Sequence, residues 1–137
     1  MTEENEILIA DSTSDKYEYS DLTYKIIGLC MEVHRILGNG LLESVYKDAL
    51  EFELKTANLE FEREKVYNVI YKDFLLRHHF CADFVVEDKI ILEIKSCSHI
   101  VDEHIKQTLN YLGISKCKVG LLINFGEASL NVKRLVL

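Results

Sequence analysis

The sequence predicts one α/β domain in which helices flank a mixed β-sheet that contains an antiparallel meander. The chain has 137 residues, 48% of them hydrophobic, which suffices for one domain with one core. Two segments with helical apolar periodicity come first, and three runs rich in β-branched and aromatic residues follow them. A third helix and two further strands complete the predicted order α-α-β-β-β-α-β-β.

The N-terminal segment differs from the rest of the chain in charge. Residues 1–20 are polar and aperiodic, and we expect a flexible acidic tail before a single domain at residues 21–137. Residues 1–21 hold seven acids and one lysine, a net charge of -6, out of -7 for the whole chain. The remainder is therefore near neutral at -1. Charge does not exclude a nucleic-acid ligand, although no basic stripe predicts one.

Apolar runs and cysteine spacing indicate a soluble protein of the cytoplasm. No run of about 18 uncharged apolar residues is present and the N-terminus is acidic, so we expect no membrane span, signal peptide or membrane partner. The four cysteines form no C-x-x-C pair, which is poor spacing for zinc or an iron–sulfur cluster. We expect reduced, mostly buried thiols.

Two helices are predicted in the first half of the chain. After Asp21, assigned as the N-cap, apolar residues recur every three or four positions up to Ile36, and the Gly38-Asn39-Gly40 segment ends this helix. The second helix covers residues 41–57, and its two apolar stripes predict burial on two sides. Glu43 lies in its first turn, where the helix dipole favours an acid.

The remaining elements are mostly strands. Residues 65–71, 75–86 and 89–96 are rich in Val, Ile, Phe and Tyr, and the short breaks between them predict a meander. A helix at 102–114 closes near Gly113. The buried strand KVGLLIN at 118–124 and a terminal strand at 132–137 follow.

A candidate site emerges from the register of the second hairpin. If its turn consists of the three residues 87–89, paired residue numbers sum to 176 and Asp83 lies opposite Glu93. Lys95, two residues after Glu93, then shares their face. A two-residue turn would instead separate the two acids.

Such a pair of acids requires a cation. Facing carboxylates repel, and the neighbouring residues are apolar, so we expect Lys95 and a hard divalent ion between them, Mg²⁺ with Mn²⁺ as a substitute. A metal that polarises a phosphate and activates water, beside an ammonium group, suits phosphodiester hydrolysis. The alternative is structural, because E-x-K triplets and single acids are common on strands.

The sequence also resembles a known family. Residues 40–46, GLLESVY, match G-x-x-E-x-x-Y, and residues 22–137 resemble the GxxExxY protein family through ADF at 82–84, EIK at 93–95 and GLLINFG at 120–126. That family resembles the PD-(D/E)xK nuclease superfamily, whose core is an α-β-β-β-α-β unit. The resemblance therefore implies a restriction-endonuclease-like fold, in agreement with the predicted order.

The resemblance assigns roles to the candidate residues. It implies that Asp83 and Glu93 bind the metal together with the backbone carbonyl of Ile94, and that Lys95 is the catalytic lysine. Glu43 becomes an additional acid for the metal.

Three further residues are implied to support the site. Gln107 and Tyr111 match Q-x-x-x-Y, which RecB-like members place beside the active site, and their i, i+4 spacing puts them on one helix face. Tyr46 belongs to the family motif. Each tyrosine also has a structural interpretation as a packing residue. The departure from the superfamily pattern is Ala82, where its name has Pro.

Several functions remain open at this stage. The first is a Mg²⁺-dependent nuclease, a phosphodiester hydrolase that acts on DNA or RNA. The alternatives are a non-catalytic nuclease-fold module that binds protein or nucleic acid, and a hydrolase of small phosphate esters. Nucleases of this size often form homodimers, but the sequence shows no interface.

Overall fold

The described part of the chain is residues 19–137 of a computed structural model, and its element order is the predicted one. Three helices and five strands form there: α1 Ser20–Leu37, α2 Glu43–Thr56, β1 Phe61–Tyr71, β2 Phe74–Val86, β3 Ile90–Lys95, α3 Asp102–Ser115, β4 Val119–Asn124 and β5 Asn131–Val136. The predicted tail at 1–20 lies outside the described residues except for Tyr19 and Ser20, and Ser20 is the first residue of α1. None of the helices in residues 19–137 is long and apolar enough to cross a membrane.

The five strands form one mixed sheet in the order β1-β2-β3-β4-β5. All neighbours are antiparallel except β3 and β4, which run parallel. A parallel pair needs a crossover connection, and α3 supplies it. The predicted meander of β1, β2 and β3 within a mixed α/β sheet is confirmed.

Helices cover both faces of this sheet. On one face α1 and α2 pack against Phe84, Leu92 and their neighbours in the larger core. On the other face α3 packs through Tyr111 and Leu112 against Val85 and other residues of the sheet. Because β3 and β4 lie between two layers, every residue of β4 and all of β3 but Lys95 are buried.

Both hairpin turns of the meander have backbone geometry that glycine-free turns rarely adopt. Lys72 and Asp73 have φ values of 49° and 68°, as a tight two-residue turn requires. Glu87 and Asp88 also have positive φ values, 55° and 57°, in the three-residue turn 87–89. This turn length confirms the register, in which Phe84 pairs with Leu92 and Val86 with Ile90.

Three local predictions were wrong. Tyr19, not Asp21, occupies the N-cap of α1. Asp21 lies inside the first turn, where the helix dipole stabilises its negative charge. α3 continues past Gly113 to Ser115 and ends at Lys116 in the left-handed conformation. Of the free cysteines only Cys30 is buried, and Cys81 is exposed.

The start of β1 also differs from the prediction. The strand begins at Phe61 rather than at residue 65. Its first residues, FERE, carry three charges and lack a strand signature, but residues 61–63 pair with residues 84–86 of β2. Tertiary pairing therefore overrides local propensity in this segment.

Candidate functional site

The candidate site lies where β2 and β3 separate. Their backbone pairing reaches Phe84 and Leu92, one residue short of the two acids. Beyond that point Glu93 Oε1 accepts the N–H of Asp83 at 3.2 Å, and Asp83 Oδ2 accepts the N–H of Ile94 at 2.7 Å. The side chain of each acid thus bonds to the backbone of the opposite strand. Asp83 and Glu93 are brought together as the register predicted.

Glu93 is buried beside a second carboxylate. Only 5% of the residue is exposed. Burial, followed by the charge of Asp83, raises the pKa of Glu93 to about 8, although the N–H of Asp83 and the charges of Lys95 and Lys47 act in the opposite direction. Without a further cation, the surroundings of Glu93 therefore favour its protonated form.

This donor set suits a hard divalent cation. Two carboxyl groups and the carbonyl of Ile94 offer oxygen ligands, and a divalent charge would favour the ionised form of Glu93. Within residues 19–137 no group of three or more His, Cys, Asp or Glu side chains could hold a metal together. Mg²⁺ commonly uses one or two carboxylates and keeps several waters, so the acid pair is sufficient for it.

Lys95 lies at the end of β3 near the acids. Lys95 follows Glu93 by two residues in β3, and its charge lowers the pKa of Glu93. In the described part of the chain, however, no direct ion pair joins Lys95 to Asp83 or Glu93. The Lys95 carbonyl accepts the N–H of Phe125 at 2.8 Å, so the backbone at this point is held by the segment after β4.

The cation that directly contacts Asp83 is Lys47 of α2, which the sequence interpretation missed. Its Nζ lies 3.0 Å from Asp83 Oδ1 and 3.0 Å from Glu64 Oε2. Burial lowers the pKa of Lys47, but the bonds and charges of Asp83 and Glu64 together raise it above its ordinary value. Helix spacing could have suggested this residue, because Lys47 follows Glu43 by four positions and shares its face.

Glu64 reaches this site through a distortion of β1. Its φ is 56°, and the β1–β2 pairing is interrupted here, opposite Asp83. Phe84 packs in the core with α1 and α2, whereas Ala82 packs in the layer with α3. Alternate residues of a regular strand share a face, so the strand pair rotates at this point. The two acids that bind Lys47 are the two residues at the rotation.

Gln107 and Tyr111 lie together on α3. Gln107 Nε2 donates to the Tyr111 hydroxyl at 3.4 Å. Burial and then the charges of Glu93 and Asp83 raise the pKa of Tyr111. The role of this pair beside the acids stays a prediction.

Glu43 and Tyr46 occupy different positions. Glu43 is exposed in the first turn of α2, and in residues 19–137 no hydrogen bond joins it to Asp83 or Glu93. The fully buried Tyr46 donates its hydroxyl proton to the Gly38 carbonyl at 2.6 Å and accepts the N–H of Leu41 at 3.2 Å. Tyr46 therefore braces the loop between α1 and α2.

A groove of about 480 Å³ begins at Lys95 and follows α3. It is lined by Lys95, Glu103, His104, Lys106, Gln107 and Asn110. His104 Nδ1 accepts the N–H of Val101 at 3.2 Å, which leaves Nε2 to donate. The groove thus presents hydrogen-bond donors from five side chains against one carboxylate, that of Glu103. This composition suits an anionic ligand.

A second cavity, of about 600 Å³, has the opposite character. It lies beside the 87–89 turn and is lined by Lys55, Leu59, Glu60, Phe61, Glu62, Val85, Glu87 and Asp88. Four carboxylates and one lysine make this cavity unsuitable for a polyanion.

Comparison with known proteins identifies the family. A sequence model of the PD-(D/E)XK nuclease superfamily matches residues 20–135, from the start of α1 almost to the end of β5. The chain belongs to the PD-(D/E)XK nuclease superfamily. The mixed sheet, the crossover helix α3 and the acids on adjacent strands agree with this assignment, and nucleases of the superfamily generally depend on divalent metal ions.

One solved structure supports the fold of this superfamily member. The crystal structure of SSO0001 is 21% identical and superimposes with a TM-score of 0.51 over 69% of this chain and 50% of that chain. This likeness concerns the fold alone. The present chain spans half the length of that protein. No curated protein matches the sequence significantly.

Proposed function

We propose that this chain is a Mg²⁺-dependent nuclease that hydrolyses phosphodiester bonds in DNA or RNA. The observation that carries the proposal is the reciprocal bonding of Asp83 and Glu93 across the separating strands. Burying two acids together is unfavourable for folding alone, and the high pKa of Glu93 expresses that cost. A site for a divalent cation accounts for the arrangement.

Each residue of the site has a role in this proposal. Asp83, Glu93 and the Ile94 carbonyl hold the metal, with Glu43 as an additional acid from α2. When bound, Mg²⁺ would polarise the scissile phosphate and lower the pKa of a water molecule. The Lys95 ammonium orients that water and stabilises the negative charge that develops on the phosphate.

The supporting residues act on the geometry of the site. Gln107, bonded to Tyr111, lines the groove that begins at Lys95 and steadies that side of the site. Tyr46 holds the loop that leads into α2, and with it the position of Glu43. Gly40, Glu43 and Tyr46 form the G-x-x-E-x-x-Y match, and we extend the proposal to membership of the GxxExxY family.

The groove along α3 supports a nucleic-acid substrate. Its donors are spaced along one helix face next to Lys95, as a phosphodiester backbone requires. Phosphate contacts do not distinguish DNA from RNA, so the proposal covers both. In the homodimer expected for a nuclease of this size, each copy would keep its own complete acid pair.

Replacing Lys95 with Ala tests the mechanism. We expect Lys95→Ala to lower the rate of metal-dependent cleavage about 100-fold or more, with an unchanged melting temperature, because only transition-state stabilisation is lost. Lys55→Ala is the matched control, since this lysine lines the acidic cavity away from the site. Cleavage at the wild-type rate by Lys95→Ala would rule the mechanism out.

A second test concerns the groove. Lys106→Met should weaken binding of a short oligonucleotide at every sequence and reduce the slope of log affinity against log salt by about 1, because one phosphate contact is lost. Fluorescence anisotropy in EDTA measures this without cleavage. If a nucleoside monophosphate displaces the oligonucleotide and binds with the same affinity, the result would instead favour a small phosphate ester as the substrate.

The alternative function is a non-catalytic module that binds protein or nucleic acid. The ion pair between Lys47 and Asp83 favours it, because that pair neutralises one acid without any metal. Thermal unfolding with millimolar Mn²⁺ separates the two functions. A metal site in the native state raises the melting temperature, and no shift in the wild type would favour the binding module.

A further inference from the structure

Lys47 occupies the position from which a cation would neutralise Asp83. We propose that Lys47 is a built-in counter-ion that a divalent cation displaces from Asp83, and that it then remains bound to Glu64. Metal binding and the release of Lys47 are thereby one coupled event. This inference rests on the proposed metal site and goes beyond it, because it assigns a role to two residues outside the nuclease motif.

The first argument is that both oxygens of Asp83 are already engaged. Oδ1 accepts from Lys47 Nζ at 3.0 Å, and Oδ2 accepts the N–H of Ile94 at 2.7 Å. The N–H of Ile94 belongs to the strand and stays in place. A cation that binds Asp83 therefore meets the charge of Lys47 at Oδ1, and like charges that share one carboxylate oxygen repel.

The second argument is that Lys47 is poorly solvated and enclosed by acids. Its side chain is 13% exposed, and Nζ lies 3.0 Å from a carboxylate oxygen of Asp83 and 3.0 Å from one of Glu64. A second cation at Asp83 Oδ1 therefore requires the Lys47 side chain to move.

The third argument is that Lys47 has another partner in place. Glu64 Oε2 lies 3.0 Å from Nζ, and the Glu64 side chain is 54% exposed. The lysine stem is flexible, so Nζ can move away from Asp83 and keep its bond to Glu64. Glu64 has a left-handed backbone, with a φ of 56°, at the position where the β1–β2 pairing is interrupted opposite Asp83.

An ordinary structural ion pair predicts a different response to mutation. If Lys47 only fastens α2 to the sheet, its removal disorders Asp83 and weakens metal binding or leaves it unchanged. If Lys47 competes with the metal, its removal strengthens metal binding. Removing Glu64 strengthens the hold of Lys47 on Asp83 and has the opposite effect.

Isothermal titration of the full chain with Mn²⁺, without nucleic acid, tests the inference. We expect Lys47→Met to bind Mn²⁺ about 10-fold more tightly than the wild type and Glu64→Gln to bind about 3-fold more weakly, within the usual range of coupling between two sites. Lys47→Arg, which keeps the charge, should stay close to the wild type. Lys47→Gln replaces Lys47→Met if the latter does not fold.

Lys55→Met is the matched control. Lys55 is on the same helix and forms an exposed ion pair with Glu51 at 3.0 Å, so the variant changes the net charge equally. We expect its Mn²⁺ affinity to lie within about 2-fold of the wild type, because exposed charges are screened. Equal tightening in both variants would show an effect of net charge and overturn the inference.

The remaining outcomes separate this inference from the proposed function. A wild type that binds Mn²⁺ with the same affinity as Lys47→Met, or more tightly, overturns the role of Lys47 and leaves the nuclease proposal intact. Absence of Mn²⁺ binding by both proteins overturns both. If Lys47→Met binds Mn²⁺ more tightly and the wild type shows no cleavage activity, the counter-ion role is supported and the nuclease proposal is contradicted.

Discussion

The two ends of the β2–β3 hairpin contrast in composition and in bonding. At the closed end, beside the 87–89 turn, Val85, Val86, Ile90 and Ile91 are buried and the strands pair through their backbones. At the open end backbone pairing stops, and acid side chains bond to the opposite backbone. The same two strands thus carry a hydrophobic half and a charged half.

This contrast shows how the fold tolerates the site. Each large apolar side chain buried at the closed end contributes about 1.5–3 kcal/mol. Facing carboxylates at the open end destabilise the sheet, as the raised pKa of Glu93 indicates. The closed end holds the strands in register and thereby keeps Asp83 and Glu93 opposite each other. The closed half of the hairpin therefore stabilises the fold, and the adjacent open half carries the candidate site.

The largest effect is expected at the closed end. Phe84 is fully buried, pairs with Leu92, and packs edge-to-face with Phe61, with ring centroids 5.9 Å apart. Phe84→Ala should lower the free energy of unfolding by about 3–5 kcal/mol, because it leaves a cavity in the core. Urea denaturation measures the change. A loss below about 1 kcal/mol would contradict the assignment of stability to this half.

Replacing Glu93 at the open end is expected to change the free energy of unfolding by an intermediate amount and in the opposite direction. The native pKa of Glu93, about 8, exceeds its ordinary value of 4.5. Native protein therefore keeps a proton that the unfolded chain releases, so metal-free wild-type stability should fall as the pH rises from about 4.5 to about 8. Glu93→Gln removes this titration and should be more stable than the wild type at pH 8.5 by about 1–3 kcal/mol.

Parallel denaturation curves at pH 5 and pH 8.5 test this expectation. The difference between the wild type and Glu93→Gln should be larger at pH 8.5, and the slope of stability against pH in this window should be shallower in the variant. Identical pH profiles would show that Glu93 is not strained by its surroundings and would remove the contrast between the two ends.

The smallest effect is expected at the turn itself. Asp88 is exposed and its Oδ1 lies 3.7 Å from Lys65 Nζ. Asp88→Asn should change the free energy of unfolding by less than about 0.5 kcal/mol, because exposed ion pairs contribute little. Asn also tolerates the positive φ at this position. A larger loss in thermal denaturation would show that charge contributes to the closed end as well.

Much of the fold was predictable because its signals are local. Apolar periodicity identified the helices, and runs of β-branched and aromatic residues identified the strands. The length of the 87–89 turn decided the register, and with it the meeting of Asp83 and Glu93. Boundaries were less predictable. The charged segment at 61–64 becomes strand because it pairs with β2, and a partner in space leaves no mark on local propensity.

The sequence by itself determined the order of the elements and which residues of one hairpin face each other, because both depend on neighbours along the chain. Only the tertiary structure decided which cation meets Asp83. Lys47 and Glu64 lie 36 and 19 positions before Asp83 in the chain. Their meeting depends on how α2 packs over the sheet and on the rotation of β1 at Glu64. These are long-range packing choices, and short-range sequence patterns do not encode them.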